Sequence, residues 1–430
     1  MLISQLYNIF KQHPVVTTDS RVCPDGAIFF ALKGPTFNGN NYAESAIEKG
    51  CSYAVVDEWD ESKKRPQHII LVDDVLAVLQ KLANHHRRTF KTPVIAITGT
   101  NGKTTTKELA AAVLSKEFRV LYTQGNFNNH IGVPLTLLSM TEEHEIAVIE
   151  MGASHPGDIK ELCEIAEPNF GLITNVGIAH LEGFQSVENV VKTKKELFDY
   201  LEDNNGKIFF NSVLKDVITL LPSTSVNVYG KDDSSLFVSG SVLSNYPYLE
   251  FEWRFFESKH QVKTHLIGDY NMDNALAAIT IGSFFGINSE FINDALEAYV
   301  PKNSRSQFEK TEKNTLVIDA YNANPTSMKA ALDSFVNYPL SPKALILGEM
   351  RELGGVSQEE HQQLVDLIEA YSFTKVYLVG KSFEGLDTSF PVYDNVGELI
   401  QEFSSNPILN HCILIKGSNG VQLHKVVDVL

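Results

Sequence analysis

The segment Val94-Ile95-Ala96-Ile97-Thr98-Gly99-Thr100-Asn101-Gly102-Lys103-Thr104-Thr105-Thr106-Lys107 decides the fold. An apolar β-branched run leads into two glycines and Lys-Thr, then into the helical pattern Glu108-Leu109-Ala110-Ala111-Ala112-Val113-Leu114. Strand, glycine loop, Lys-Thr, helix is the layout of a triphosphate cradle. Glycines let the backbone approach the phosphates, the helix N-terminus offers N–H donors, lysine supplies a cation, and the threonine hydroxyl reaches a magnesium ion. The pattern therefore predicts that Gly99, Thr100, Asn101, Gly102, Lys103, Thr104 and Thr105 bind ATP or GTP. Its spacing is not that of the common phosphate loop, which puts four residues between the glycines; here only Thr100 and Asn101 intervene. A bare Gly-Lys-Thr also fits a plain helix N-terminus, and the flanking strand and helix are what favour the cradle.

Outward from this segment, 430 residues are too many for one ordinary core. Hydrophobic content of 43% and charged content of 21% are those of a soluble globular chain. The sequence has no apolar run long enough to span a bilayer. The opening Met1–Phe10 stretch lacks a basic n-region and reads as an amphipathic helix rather than a signal peptide. Cys23, Cys51, Cys163 and Cys412 are scattered, which argues against a zinc site or disulfide framework and for a reducing cytoplasm. A net charge of −17 argues against a nucleic-acid surface. It does not exclude an anionic small substrate held by a few local donors.

The fold class is α/β in three units. Residues 1–90 alternate short strands (Ala27–Leu32, Tyr53–Val56, Ile69–Val72) with helices, and Arg87 to Pro93 is a candidate linker. Residues 91–300 repeat strand–helix–strand, with strands at Val94–Thr98, Ile146–Glu150, Phe170–Thr174 and Lys207–Asn211. That alternation predicts a mostly parallel sheet. Val226 to His265 reads as a small antiparallel section. Residues 301–430 form a Rossmann-like module with strands at Thr315–Ala320, Lys343–Leu347, Lys375–Leu378 and His411–Ile415.

Ligands of open parallel sheets lie beyond the carboxyl ends of the strands. Glu150 closes one such strand and is placed to hold magnesium beside the loop; a solvent-facing glutamate is the plain alternative. His180 follows another strand and is a candidate metal ligand or base, although a lone histidine there is more often structural. Lys194 lies in a basic run that by charge pattern alone is a solvated helix face. Asn271 and Asn274 stand one turn apart and fit either a base reader or a helix cap. Asp319 ends a strand, where a carboxylate takes ribose hydroxyls or caps the next helix.

Taken together, these segments resemble the Mur ligase family. The likeness includes Asp19-Ser20-Arg21, Phe29-Phe30-Ala31-Leu32-Lys33-Gly34, the glycine loop, Gly125-Asn126-Phe127-Asn128-Asn129-His130-Ile131-Gly132, Glu150-Met151-Gly152-Ala153 and Asn175-Val176-Gly177-Ile178-Ala179-His180. It continues through Tyr321-Asn322-Ala323-Asn324-Pro325 and Gly348-Glu349-Met350-Arg351-Glu352-Leu353-Gly354. The last two pieces look like the branch that joins D-Ala-D-Ala to UDP-N-acetylmuramoyl-tripeptide. The sequence departs from the family pattern at Ser304, at Asn38-Gly39-Asn40 and at Asn419.

The resemblance implies an ATP-dependent amide ligase of peptidoglycan precursor synthesis, acting as a cytoplasmic monomer through an acyl phosphate. It implies a UDP-sugar domain, an ATP domain and a mobile amine-carrying domain. Lys103 would meet the phosphates, and Thr104 with Glu150 one magnesium. His180 and a carbamylated Lys194 would hold a second magnesium. Asn271 and Asn274 would face adenine, Arg305 the phosphates and Asp319 the ribose, with Ser20, Arg21 and Asn129 on the UDP-sugar substrate. The rivals are another Mur-type or folylpolyglutamate-synthetase-like ligase, or a P-loop switch ATPase. A GTPase would need an Asn-Lys-x-Asp base reader, which the sequence lacks.

Overall fold

The strand Val94–Thr98 lies inside a nine-stranded sheet, between Phe170–Ile173 and Ile146–Glu150. Its residues alternate between the two faces. Val94 and Ala96 enter one hydrophobic cluster with Ala147 and Ile149, and Ile95 and Ile97 enter the other with Ile146 and Val148. All five are buried, the signature of a central parallel strand covered by helices on both sides. The computed structural model describes residues 2–62, 64–219, 225–301, 305 and 307–430. Ser304, one of the departures noted above, lies outside the described residues.

The central sheet runs parallel from its edge strand Val120–Tyr122 across to Ser225–Lys231 and Val238–Ser244. Glu250–Phe255 and Ser258–Lys263 then add an antiparallel hairpin. The antiparallel section expected from Val226 onward is therefore shorter than its sequence suggests, because Ser225–Lys231 and Val238–Ser244 pair in parallel. The helix Lys103–Leu114 packs against Asn271–Phe284, while Asp158–Ala166 and Val187–Asp203 cover the opposite face.

The N-terminal unit carries a four-stranded parallel sheet of Val16–Thr17, Ile28–Phe30, Tyr53–Val56 and Ile69–Leu71. Its helix Val75–Arg87, capped by the Asp74 side chain on the Ala77 N–H, packs on Gly132–Leu138 and Asp158–Ala166 of the central unit. Leu79, Leu82 and Ala83 share a cluster with Leu137 and Leu162. The segment from Arg87 to Pro93 is a welded joint rather than a loose linker. Arg87 is 6% exposed, and its guanidinium donates to the carbonyls of Ala166 and Phe90 at 3.0 and 3.1 Å and to Asn169 Oδ1 at 3.2 Å. A buried arginine needs such a full set of acceptors.

The C-terminal unit is a six-stranded sheet. Thr315–Asp319, Cys412–Lys416, Lys343–Gly348, Lys375–Val379 and Val392–Tyr393 run parallel in that order, and Gln307–Lys310 adds an antiparallel edge. The helix Pro325–Val336 begins with proline behind an Asn324 cap, a pre-organised start that spends no helical N–H. Its N-terminus points at the loop of the central unit. No helix among the described residues is long and apolar enough to cross a membrane.

Candidate active site at the junction of the central and C-terminal units

The loop is fixed before any ligand arrives. Gly102 takes φ of 78°, and a Cβ there would stand 2.3 Å from Asn274 Oδ1. At Gly99, with φ of 141°, a Cβ would stand 2.0 Å from Thr174 Oγ1. Only glycine fits either place. The run Asn175–Gly177 clamps the loop from outside: Thr100 and Asn101 donate their N–H groups to Asn175 O and Oδ1 at 3.0 and 2.9 Å, and Gly177 N–H donates to Thr100 Oγ1 at 3.0 Å. The first turn of Lys103–Leu114 then presents N–H groups that have no partner within the helix.

Lys103 folds back over this loop and donates to Gly99 O at 2.8 Å and Thr100 O at 3.0 Å. Burial pushes its ammonium pKa down, opposed by the Glu150 charge and reinforced by Arg305. Thr104 Oγ1 donates to Glu150 Oε1 at 3.1 Å, and Asn128 Nδ2 donates to the same oxygen at 2.8 Å. Glu150 is 1% exposed, and its Oε2 has no hydrogen-bond partner among the described residues; the nearest cation, Lys107 Nζ, is 3.9 Å away. A buried carboxylate oxygen left in this way is costly unless something positive completes it. With the Thr104 hydroxyl beside it, the donor set is the hard-oxygen kind that suits magnesium. That ion takes one or two carboxylates and completes its shell with water and phosphate.

A cavity of 680 Å³ opens over these groups. Its wall includes Lys103, Thr104, Asn128, Asn129, Glu150 and His180 from the central unit, and Tyr321, Asn322, Arg351 and Glu352 from the C-terminal unit. His180 adopts a left-handed backbone, and its Nδ1 lies 2.6 Å from Glu352 Oε2. Arg305 also lines the cavity, its guanidinium carbon 3.6 Å from the Tyr321 ring centroid. Asn129 Oδ1 accepts the N–H groups of Ile131 and Gly132 at 3.1 and 2.9 Å, just ahead of the helix Gly132–Leu138.

Lys194 lies on the helix Val187–Asp203 and is no solvated face: it is 2% exposed, with Nζ 5.7 Å from the Phe184 ring centroid. Burial, aided by the Lys103 charge, pushes its pKa down to about 7, against the pull of Asp158 and Glu196. A sizeable neutral fraction at physiological pH is the state that can add carbon dioxide.

Some residues named from the sequence are engaged elsewhere. Asn271 and Asn274 line neither the 680 Å³ cavity nor the 910 Å³ cavity beyond Thr104. Asn274 Nδ2 donates to Asn271 Oδ1 at 2.8 Å, Asn271 Nδ2 donates to Ile267 O at 2.7 Å, and Thr106 Oγ1 donates to Asn274 Oδ1 at 3.0 Å. In this arrangement the amides support the loop from beneath. Asp319 is paired with Lys416 at 2.6 Å, across neighbouring strands.

In the N-terminal unit, Thr18, Asp19, Ser20 and Arg21 line a separate 520 Å³ cavity with Phe37 and Tyr42. Arg21 grips Asp19 through Nε and Nη2 at 2.9 and 2.8 Å, which holds the Asp19 carboxyl down to about 2. The Phe37 and Tyr42 rings stack with centroids 5.1 Å apart. Sequence reading missed these two aromatics, which carry no motif. It also gave no role to Asn128 and Glu352, although both sit inside quoted motifs.

A phosphate loop in a parallel sheet, facing a Rossmann-like unit across a polar cavity, is the frame of an ATP-dependent ligase. The chain belongs to the Mur ligase family: the family's catalytic domain matches residues 14–87, its middle domain residues 97–282, and its glutamate ligase domain residues 304–418. The UDP-N-acetylmuramoyl-tripeptide–D-alanyl-D-alanine ligase of Bacillus subtilis (strain 168) is 35% identical over 96% of this chain and 92% of its own. A crystal structure of MurF from Acinetobacter baumannii superposes with a TM-score of 0.85 at 27% identity, covering 96% of this chain and 92% of that one. MurF of Thermotoga maritima in complex with ADP gives a TM-score of 0.85 at 25% identity, covering 96% of both chains. These ligase relatives displace the switch-ATPase alternative.

Proposed function

We propose that this protein joins D-alanyl-D-alanine to UDP-N-acetylmuramoyl-tripeptide at the expense of ATP, as a monomer in the cytoplasm. Residues 1–90 would bind the UDP-sugar through Ser20 and Arg21, residues 91–300 the ATP, and residues 301–430 the amine. The tripeptide carboxylate attacks the γ-phosphorus, ADP leaves, and an acyl phosphate forms. The dipeptide amine then attacks the acyl carbon, loses a proton, and inorganic phosphate departs. A free carboxylate is a poor acyl donor because oxide would have to leave; phosphorylation supplies a better leaving group.

Catalysis in this scheme is positioning and charge neutralisation. Lys103 swings from its own loop carbonyls to the phosphates, and Arg305 meets them from across the cavity. Asn129 orients the sugar-peptide substrate, Asp319 releases Lys416 to take the ribose, and Asn271 and Asn274 keep the loop in shape beside the base. Thr104 and Glu150 would hold one magnesium ion, and His180 with carbamylated Lys194 a second; bound there, magnesium supplies positive charge to the transferring phosphoryl group.

The observation that carries this reading is the shared 680 Å³ cavity, in which the phosphate loop faces Asn322, Arg351 and Glu352 of the last unit. An activated acid made on one wall meets an amine brought by the other. The test is incubation with ATP, magnesium, D-Ala-D-Ala and either the lysine- or the diaminopimelate-containing tripeptide, read by mass spectrometry. One amide product per ADP is expected with one of the two. ATP hydrolysis without a joined product from either would overturn the reading.

A further inference from the structure

We propose that Glu352 is the positioning residue of His180: the C-terminal unit delivers a carboxylate that holds the imidazole Nδ1–H and leaves Nε2 to face the reaction centre. This rests on the place given to His180 under the proposed function. The contact is direct, with Nδ1 and Oε2 2.6 Å apart. It is also built on both sides. His180 and Glu352 are non-glycine residues with φ of 52° and 66°, a conformation that persists only where the surroundings impose it. The Glu182 N–H donates to Glu352 O at 3.3 Å, and a Cβ on Gly354 would stand 3.3 Å from Glu182 Cα. The whole turn after Glu349 is seated on the turn after Ala179.

An ion pair formed only for stability would be a weak device here, because the His180 and Glu352 side chains are 32% and 57% exposed. A carboxylate on one imidazole nitrogen does something else: it selects the tautomer and the ring orientation. Left to water, imidazole prefers its proton on Nε2, the nitrogen needed bare for a cation or a phosphate-bound water. Because Glu352 belongs to the unit that brings the amine, His180 acquires the right tautomer only when that unit is seated.

The test uses the full-length enzyme labelled with ¹⁵N-histidine, with His180 assigned by difference against His180→Gln. The wild type is expected to carry the proton on Nδ1, Glu352→Ala to shift toward the Nε2–H form, and Glu352→Gln, whose amide oxygen still accepts, to keep the wild-type signal. In ligation assays the magnesium concentration for half-maximal rate is expected to rise about 10- to 100-fold in Glu352→Ala. The KM for the dipeptide should move far less, with recovery in Glu352→Gln. A wild-type His180 protonated on Nε2, or the same tautomer in wild type and Glu352→Ala, overturns the proposal. Should Glu352→Ala fail to fold, the wild-type spectrum decides alone. Absence of ligation by the wild type would sink the functional reading and leave the tautomer result standing.

Discussion

Asn101 and Asn324 exchange hydrogen bonds across the boundary between the central and C-terminal units. Asn324 Nδ2 donates to Asn101 Oδ1 at 2.8 Å, and Asn101 Nδ2 returns a bond to Asn324 Oδ1 at 3.3 Å. Asn324 Oδ1 also accepts the Ser327 N–H at 2.9 Å, capping the helix Pro325–Val336. One side chain thus starts a helix in one unit and holds the nucleotide loop of the other. The neighbouring Thr326 Oγ1 accepts the Ile178 N–H at 3.0 Å, so the helix start touches both the loop and its clamp.

The two duties of Asn324 can be separated. Asp is as good a cap as Asn, but it has no N–H for Asn101 and places a negative charge beside the loop proposed to hold the phosphates. Asn324→Asp is expected to leave the thermal midpoint almost unchanged while kcat/KM for ATP falls about 5- to 30-fold, the equivalent of ~1–2 kcal/mol for a lost hydrogen bond. Asn324→Ala should lose both, with about 1 kcal/mol of added destabilisation. Steady-state kinetics with calorimetry on the two variants checks this; equal kinetics in Asn324→Asp and wild type would remove the amide pair from the mechanism.

Local pattern carried much of the fold. The β-branched run Val94–Thr98 and the alanine-rich Lys103–Leu114 announce themselves because burial on both faces and helix propensity leave period and composition behind. The edge strand Val120–Tyr122 is three residues long, too short to carry a period. Partners are harder still. That Asp319 ends a strand is legible; that Lys416, 97 residues on, neutralises it is not. Asn271 and Asn274 read as one helix face, yet which way that face points is set by packing of Asn271–Phe284 on Lys103–Leu114. Glu352 sits in a visible motif, but its meaning depends on a turn from another unit.

Glu150 gives a second prediction. Its Oε1 takes two donors, while Oε2 faces Lys107 at 3.9 Å without a hydrogen bond. Glu150→Gln keeps the volume, removes the charge, and leaves Lys107 buried beside a neutral amide. Turnover is expected to fall by about 100-fold or more, since the magnesium ion proposed for this site would lose its carboxylate. The magnesium requirement should rise as well. Titration of activity against magnesium at saturating ATP is the check, and a variant with unchanged requirement would move the metal elsewhere.

The pocket beside Ser20 gives a third. Phe37 and Tyr42 stack at 5.1 Å yet remain 44% and 41% exposed, and they line the same cavity as Arg21. Exposed parallel aromatics sharing a cavity with a guanidinium suit a planar base joined to a diphosphate. Stacking of a base on an aromatic ring is worth about 1–3 kcal/mol. Phe37→Ala is expected to raise KM for the UDP-sugar peptide about 10-fold and leave KM for ATP where it was. Competition by free UDP should weaken in parallel, and a rise in the ATP constant instead would show that the pocket serves another ligand.

Lys194 supplies the last. Its folded-state pKa, pushed down to about 7 chiefly by burial, lies below that of an exposed lysine, about 10.4. Between those two values the unfolded chain binds the proton and the folded chain does not. Stability therefore rises with pH across that window and is lost as pH falls toward 7, where the folded protein must bury an ammonium ion. Lys194→Met removes the charge that sits 5.7 Å from the Phe184 ring centroid and leaves an apolar side chain of similar length in the buried site. In carbon-dioxide-free buffer the variant should melt higher than wild type at pH 6, by the equivalent of a few kcal/mol, and the gap should narrow by pH 9. The same variant should lack ligase activity at every pH. Bicarbonate should raise wild-type activity and leave the variant inert. A melting difference independent of pH would mean that Lys194 is solvated in the folded protein, and bicarbonate-independent activity would remove the carbamate.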